Sequence, residues 1–237
     1  MKCLALALAL AACGGSSSSN PDGSTGGTAD APPAPAMVTF SGNVSSKGLS
    51  SMPLSGVTLG AYGEGSTTAV ATATSDASGN FTMTIPTGGT ALQGYVKATF
   101  SGYLDTYLYP PTAVAADTTG VTVFMVTQST LDTLSYNLCK DQQDAAKGVI
   151  GVEVMDASKA TVAGAVVSSN PMAMSYCYNS GGFPSSSVHM TDTDGIGYVI
   201  NVAAGNVTVS ATKSGATFAS HQVNARAGAL TLTIIQP

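Results

Sequence analysis

Residues 69–88, AVATATSDASGNFTMTIPTG, carry the clearest alternation of apolar and polar positions in the chain. Thr72 and Thr74 alternate with alanine, a turn rich in Asp, Ser, Gly and Asn follows, and Phe81 begins a second alternating run. A period of two is typical of a half-buried strand, and these turn residues favour a tight reversal of the chain. The pattern therefore predicts two strands joined as a β-hairpin.

The same order of features returns at residues 188–205, VHMTDTDGIGYVINVAAG. Asp194 and Gly195 stand where the first copy has its Gly79 turn. We therefore predict two copies of one β unit in separate sandwiches, each about 90 residues long and large enough to hold its own core. Further corresponding segments are residues 53–59 with 161–167 and residues 95–100 with 207–211.

Short apolar runs separated by turn residues fill residues 37–127, and this spacing predicts a β-sandwich. The order GNV, PLSGVTL, SGNFTMTIPTG and VKATFSGY between Phe40 and Tyr103 resembles that of carboxypeptidase regulatory-like domains. Such domains are similar to transthyretin and form seven-stranded Greek-key sandwiches. The resemblance implies a noncatalytic accessory or adhesion-like module, and it transfers no catalytic residue.

The β pattern is interrupted after the first copy, where leucines recur at helical spacing. Leu131, Leu134 and Leu138 precede a stop at Gly148, which predicts one amphipathic helix over residues 129–147. The expected fold is therefore all-β. Two tandem Greek-key sandwiches, transthyretin-like or Ig-like, would occupy residues 37–127 and 148–237, joined by a helical connector at residues 128–147.

A short apolar run, residues 4–12, follows Lys2 at the start of the chain. This arrangement is typical of a secretory signal, and the run is shorter than the ~20 residues of a membrane-spanning helix. The letters LAAC at residues 10–13 resemble the lipobox of bacterial lipoproteins. The resemblance implies cleavage before Cys13 and lipid on its sulfur. The alternative is an ordinary signal cleaved nearby, with Cys13 incidental.

Gly14, directly after the predicted lipidation site, favours the outer membrane by the same resemblance. Residues 14–36 contain no Leu, Ile, Val or aromatic residue, so they cannot bury apolar surface and are expected to remain disordered. We therefore expect a signal peptide at residues 1–12 and a lipid-bearing tether at residues 13–36. The protein would be an outer-membrane lipoprotein that faces the periplasm or the cell surface.

Composition narrows the classes of partner. Of the 237 residues, 9% are charged, and the formal net charge is −5. Eight Lys and Arg residues, without a cluster, supply too few cations for the phosphate contacts that dominate nucleic-acid affinity. We expect membrane attachment through the lipid, an envelope protein or a glycan as partner, no nucleic acid and no cofactor.

Cys139 and Cys177 are the only cysteines left if the signal is removed and Cys13 is lipidated. An even pair in an oxidising, exported compartment favours a disulfide, which would close a long loop. The alternative is two separate buried thiols, because free cysteine packs well as a small hydrophobic residue.

Tyr103, Tyr107 and Tyr109 share parity in GYLDTYLYPP, so an extended segment would place them on one face. An aromatic face of this kind can stack on a sugar ring or hold a peptide, which makes it a candidate ligand face. The alternative is that the rings cover the end of the sandwich while their hydroxyls reach water.

The sequence contains only weak motifs for a metal site or a catalytic site. Residues 191–195, TDTDG, resemble the start of a calcium loop but lack its later ligands, so a hairpin turn is favoured. His189, His221 and the nearby methionines have no metal-site spacing, and no G-x-S-x-G or H-E-x-x-H motif occurs. We therefore expect no metal and no enzyme activity. The expected function is a noncatalytic binding or adhesion lipoprotein; the alternatives are a carbohydrate-binding protein and a structural spacer or assembly subunit.

Overall fold

The computed structural model of the protein describes residues 35–48 and 50–237. This part is all-β, with sixteen strands and one short helical segment. The first repeat contains β1 (Met37–Ser46), β2 (Met52–Pro53), β3 (Thr58–Gly63), β4 (Ala69–Thr74), β5 (Asn80–Pro86), β6 (Gly94–Thr99), β7 (Thr106–Tyr109) and β8 (Thr118–Met125). The second repeat contains β9 (Gly148–Val154), β10 (Val166–Asn170), β11 (Ser175–Ser180), β12 (Phe183–Ser185), β13 (Ile196–Val202), β14 (Gly205–Thr212), β15 (His221–Ala225) and β16 (Leu230–Ile235).

Both repeats use the same strand pairing. In the first, β1 pairs antiparallel with β5 and parallel with β8, while β3, β6 and β7 form an antiparallel row. In the second, β9 pairs antiparallel with β13 and parallel with β16, while β10, β14 and β15 form the matching row. The predicted internal repeat is therefore present as two sandwiches of like topology.

Matching hydrogen bonds support this equivalence at single residues. The buried Ser75 hydroxyl donates to the Leu54 carbonyl at 2.6 Å, and the buried Thr191 hydroxyl donates to the Val162 carbonyl at 2.6 Å. Each hydroxyl also accepts a bond from a backbone N–H at 2.9 Å. A buried hydroxyl that bonds on both sides fixes the turn beside it, because an unpaired one would be costly.

The turn glycines match as well. Gly79 and Gly195 have φ of +78° and +69°, in the left-handed region that favours glycine. Their carbonyls accept bonds from Val44 N at 2.8 Å and Val154 N at 2.9 Å. A Cβ on Gly79 would lie 2.5 Å from the Val44 oxygen, and one on Gly195 would lie 2.6 Å from the Val154 oxygen.

The two predicted hairpins do not form, because their predicted arms do not pair with each other. β4 pairs with β3 and β5 pairs with β1, so residues 69–88 form an arch that links the two sheets of one sandwich. Alternation shows that a strand has one buried face, but it does not show which strand lies beside it. In residues 188–205 the first predicted arm is not a strand, and β13 begins only at Ile196.

The two sandwiches are not separate, because one sheet runs through both. β16 pairs parallel with β9 on one side and with β7 of the first repeat on the other. The result is a nine-stranded sheet in the order β12-β11-β13-β9-β16-β7-β6-β3-β4. Its front face, which bears Leu108, packs on the first core, and its back face, which bears Tyr109 and Ile235, packs on the second core.

The connector is shorter than predicted. Helix α1 spans Gln128–Asp132 and continues as a π-helical turn over Thr133–Leu138, so the helical path ends well before residue 147. Lys140 has a positive φ of 60°, which reverses the chain, and the Asn201 side chain then ties residues 142–144 to β13. Among residues 35–48 and 50–237, no helix is long and apolar enough to cross a membrane.

Candidate functional site

An open groove of about 930 Å³ lies on the front face of the nine-stranded sheet. Its wall on one side is β8 and the loop at residues 110–116, and Leu134 of the π-helical turn lies at its other border. The floor is made by three neighbouring strands of the second repeat. The floor residues are Leu232 and Ile234 from β16, Gly151 and Glu153 from β9, and Ile196 and Tyr198 from β13.

The groove exists because the two layers of the first sandwich end at different places. The nine-stranded sheet continues beyond β7, whereas the facing layer ends at β8. Among the strands of residues 35–48 and 50–237, β8 pairs only with β1. Its other edge therefore has no strand partner and lies beside an apolar floor, and just past its end the Val126 carbonyl accepts a bond from Leu104 N at 2.9 Å. An edge without a strand partner is the kind that accepts an added strand.

A carboxyl group lies within this apolar floor. Glu153 is in register with Ile196 on one side and Ile234 on the other. Burial raises the pKa of its carboxyl, and the nearby charge of Asp194 raises it further. Within the part of the chain that the structure describes, the only ion pair joins Lys97 and Asp105, so Glu153 has no countercharge there.

Asn179 adds a buried hydrogen-bond acceptor to the same end of the groove. Its side chain is 1% exposed and donates from Nδ2 to Asp194 at 2.6 Å, while its Oδ1 has no hydrogen-bond partner. Burial also raises the pKa of the neighbouring Tyr198 hydroxyl to about 12. A cation or an N–H donor bound here would supply what both Glu153 and Asn179 lack.

The predicted cysteine pair lies at the edge of this groove. Cys139 and Cys177 are joined by an S–S bond of 2.08 Å, with their Cα atoms 5.7 Å apart. The bond attaches the end of the π-helical turn to β11, and the Leu138 carbonyl accepts a further bond from Ser186 N at 3.0 Å. The helical border of the groove is therefore fixed to the sheet that forms its floor.

The three tyrosines of the predicted ligand face do not lie together. Tyr103 packs beside Phe100 against the first core, with ring centroids 5.6 Å apart. Tyr107 and Tyr109 lie on the back face of β7, where Tyr109 is only 8% exposed. Shared parity predicts one face only while the chain stays extended, and Tyr103 precedes β7 in an irregular segment.

Arg226 occupies the back face where Tyr107 and Tyr109 lie. Its guanidinium carbon is 3.8 Å from the Tyr107 ring centroid and 4.8 Å from that of Tyr95, and its Nη1 donates to the Tyr109 hydroxyl at 3.1 Å. A cation over a tyrosine face is attractive, and here it covers a ring that a sugar would need. We therefore assign this cluster a structural role between the two repeats.

The weaker candidates form ordinary contacts. Asp192 accepts bonds from the backbone of Gly181 and Thr193, which lowers the pKa of its carboxyl. His221 Nδ1 lies 2.6 Å from Thr233 Oγ1, and burial lowers the pKa of its imidazole. In residues 35–48 and 50–237 no three His, Cys, Asp or Glu side chains are grouped as metal ligands. Cys13 lies outside the described residues.

Sequence reasoning missed the groove residues Glu153, Asn179, Tyr198 and Ile234. A signal was present in β9 and β13, because GVIGVEV and IGYVINV carry apolar residues on both faces. A strand of that kind is buried on both sides or has a second apolar face to cover.

No family model and no curated protein matches the chain. Among solved structures it is similar to the shaft pilin SpaA of Lactobacillus rhamnosus GG, at 14% identity over 85% of this chain and 98% of that one, with a TM-score of 0.26. It is also similar to the major pilin subunit BcpA of Bacillus cereus, at 10% identity over 84% and 99%, with a TM-score of 0.28.

A third similar structure is a type II cohesin–X-dockerin complex from Acetivibrio cellulolyticus, at 20% identity with a TM-score of 0.29. That match covers 38% of this chain and 58% of the other.

Proposed function

We propose that the protein is a noncatalytic lipoprotein of the bacterial cell envelope whose joined sandwiches act as a binding module. The observation that carries this proposal is the groove beside β8, in which an apolar floor contains the uncompensated carboxyl of Glu153. Open apolar grooves with a few convergent polar groups are the usual form of binding sites.

Attachment to the membrane rests on the sequence. Residues 10–13 supply the lipobox-like LAAC, and Cys13 is the residue that would carry lipid. A single acyl chain holds only marginally, and the several chains of the lipoprotein class would anchor stably. Residues 14–36 would then be the tether that lets the groove reach a partner, and Gly14 favours the outer membrane, on the periplasmic or the surface side.

Glycan binding through tyrosine stacking is less well supported. The Tyr107 ring is covered by Arg226, and Tyr62 and Tyr95 stack on each other with centroids 5.2 Å apart and planes 11° from parallel. Because these faces are already in contact inside the protein, a protein or peptide partner in the groove is the better proposal.

The test uses the full chain in cells. A photocrosslinking amino acid at Ile234, in the groove floor, should give a discrete adduct, whereas the same residue at exposed Thr72 on β4 should not. If the two positions give the same adducts, the groove is not the binding site.

Separately, Cys13→Ser should move the protein from the membrane to the soluble fraction. Retention on salt-washed membranes would contradict the anchor.

A further inference from the structure

The last strands of the two repeats, β8 and β16, differ in what lies beside their outer edges. β8 and β16 are equivalent because each is the last strand of its repeat and pairs parallel with the first strand. The outer edge of β16 is occupied by β7, whereas the outer edge of β8 has no strand beside it among the described residues. The fold therefore shows, within one chain, that this edge of the repeat accepts an added strand.

We propose that the groove binds an extended peptide segment of a partner protein, which adds to the free edge of β8 with apolar side chains on the floor and a basic side chain at Glu153. This inference rests on the proposed function and specifies the partner. Added strands gain affinity from backbone hydrogen bonds, and alternate side chains give specificity.

The residues of the groove floor indicate the charge of the peptide that would bind there. Glu153 lies between two isoleucines and beside Asp194, and the buried Oδ1 of Asn179 has no donor. A lysine or arginine on the floor-facing side of the strand supplies positive charge and N–H donors together. Lys47 and Lys159 also line the groove, but neither forms an ion pair with Glu153.

A single strand fits the available space better than the other occupants. A volume of about 930 Å³ lies within the range of sites for one ligand or short segment, and the α1 region and the disulfide border it. Residues 14–36 of the chain itself have no Leu, Ile, Val or aromatic side chain to place on the floor. A whole sheet from a second copy would have to displace the helical border.

The test measures binding of synthetic octapeptides to the full chain in detergent. Valine alternates with threonine in the probe, and lysine replaces one central valine. A glutamate version and a version with alternate backbone nitrogens methylated are the controls. We expect the lysine peptide to bind at least about tenfold more tightly than either control, a factor that corresponds to about 1.4 kcal/mol. Hydrogen exchange should slow in β8 and not in β4, the edge strand at the end of the nine-stranded sheet.

Matched variants test the charge. Glu153→Gln should reduce the preference for lysine over glutamate to about threefold or less, whereas Glu64→Gln, at an exposed turn, should leave it unchanged. The inference would be overturned if the methylated peptide bound as tightly as the lysine peptide or if β4 were protected in place of β8. An unchanged preference for lysine over glutamate in Glu153→Gln would also overturn it. So would self-association of the protein that protects β8 without peptide. If Ile234 still forms its adduct in cells when the lysine peptide does not bind, the proposed function stands and this inference fails.

Discussion

Leu232 in β16 lies in register with Leu108 in β7, and this parallel contact joins the two repeats into one sheet. Leu108 belongs to the first core, and Leu232 packs against that core and against the small cluster of Val126, Val149 and Leu230. The last strand of the chain therefore completes the second sandwich and extends a sheet of the first.

Replacing Leu232 tests this junction. Leu232→Ala should lower the free energy of unfolding by about 2 kcal/mol, because it removes contacts to the first core and to the small cluster. Ile234→Ala, on the same strand but facing the open groove, should cost about 1 kcal/mol or less, since fewer buried contacts are lost. Denaturant unfolding should show one transition for the wild-type protein. Two well-separated transitions would mean that the repeats unfold independently.

The disulfide should contribute measurably to stability. Cys139 and Cys177 are 38 residues apart, and the loop-closure model assigns a cross-link of that length ~3–4 kcal/mol. The double variant Cys139→Ser, Cys177→Ser should lose about this amount, and the reduced wild-type protein should match it. Thiol labelling of the unfolded, unreduced protein should detect neither cysteine; labelling of both would show that the bond does not form.

Much of the strand content could be predicted because its causes are local. Alternation marked β5, with its buried Phe81, Met83 and Ile85, and Gly79 marked the turn before it. The cysteine pair could be named by elimination. These features depend on residues a few positions apart or on counting, so the sequence displays them directly.

Strand partners and the groove could not be predicted in the same way. Whether β4 pairs with β5 or with β3 depends on the core that closes between two layers, and alternation is the same in either case. The contact between Arg226 and Tyr107 joins distant segments through the junction of β7 with β16. The groove is likewise a consequence of that junction, because only the continued sheet gives β8 a floor.

The arginine at this junction should stabilise it. Arg226→Met keeps an apolar stem but removes the cation over Tyr107 and the bond to the Tyr109 hydroxyl, so we expect a loss of about 1–2 kcal/mol. Tyr109→Phe removes only the hydrogen bond and should cost about 1 kcal/mol. In the double variant the two losses should not add, because they share one contact. Full additivity would contradict the coupling.

Gly79 should tolerate no side chain. Gly79→Ala would place a Cβ 2.5 Å from the Val44 oxygen at a φ of +78°, and we expect a loss of about 2–3 kcal/mol from strain and displacement. Gly215→Ala is the matched control, because its φ is +74° but no atom lies within 4 Å of the added carbon. It should cost about 1 kcal/mol. Equal losses at the two sites in thermal unfolding would show that the close approach is unimportant.

Glu153 should make stability depend on pH. Burial and Asp194 raise the pKa of its carboxyl in the folded protein above the ordinary value of 4.5. Between pH 4.5 and the folded-state pKa, the carboxyl of Glu153 has lost its proton in the unfolded chain but still holds it in the folded protein. The contribution of this group is therefore most favourable at low pH and is lost as pH rises through that window. Glu153→Gln removes this pH-dependent loss of stability. The melting temperature of the variant minus that of the wild type should therefore increase from pH 4 to pH 7. Glu64→Gln, on the surface, should show a smaller change over the same range, and an equal change in both variants would mean that the groove does not destabilise the charged carboxylate.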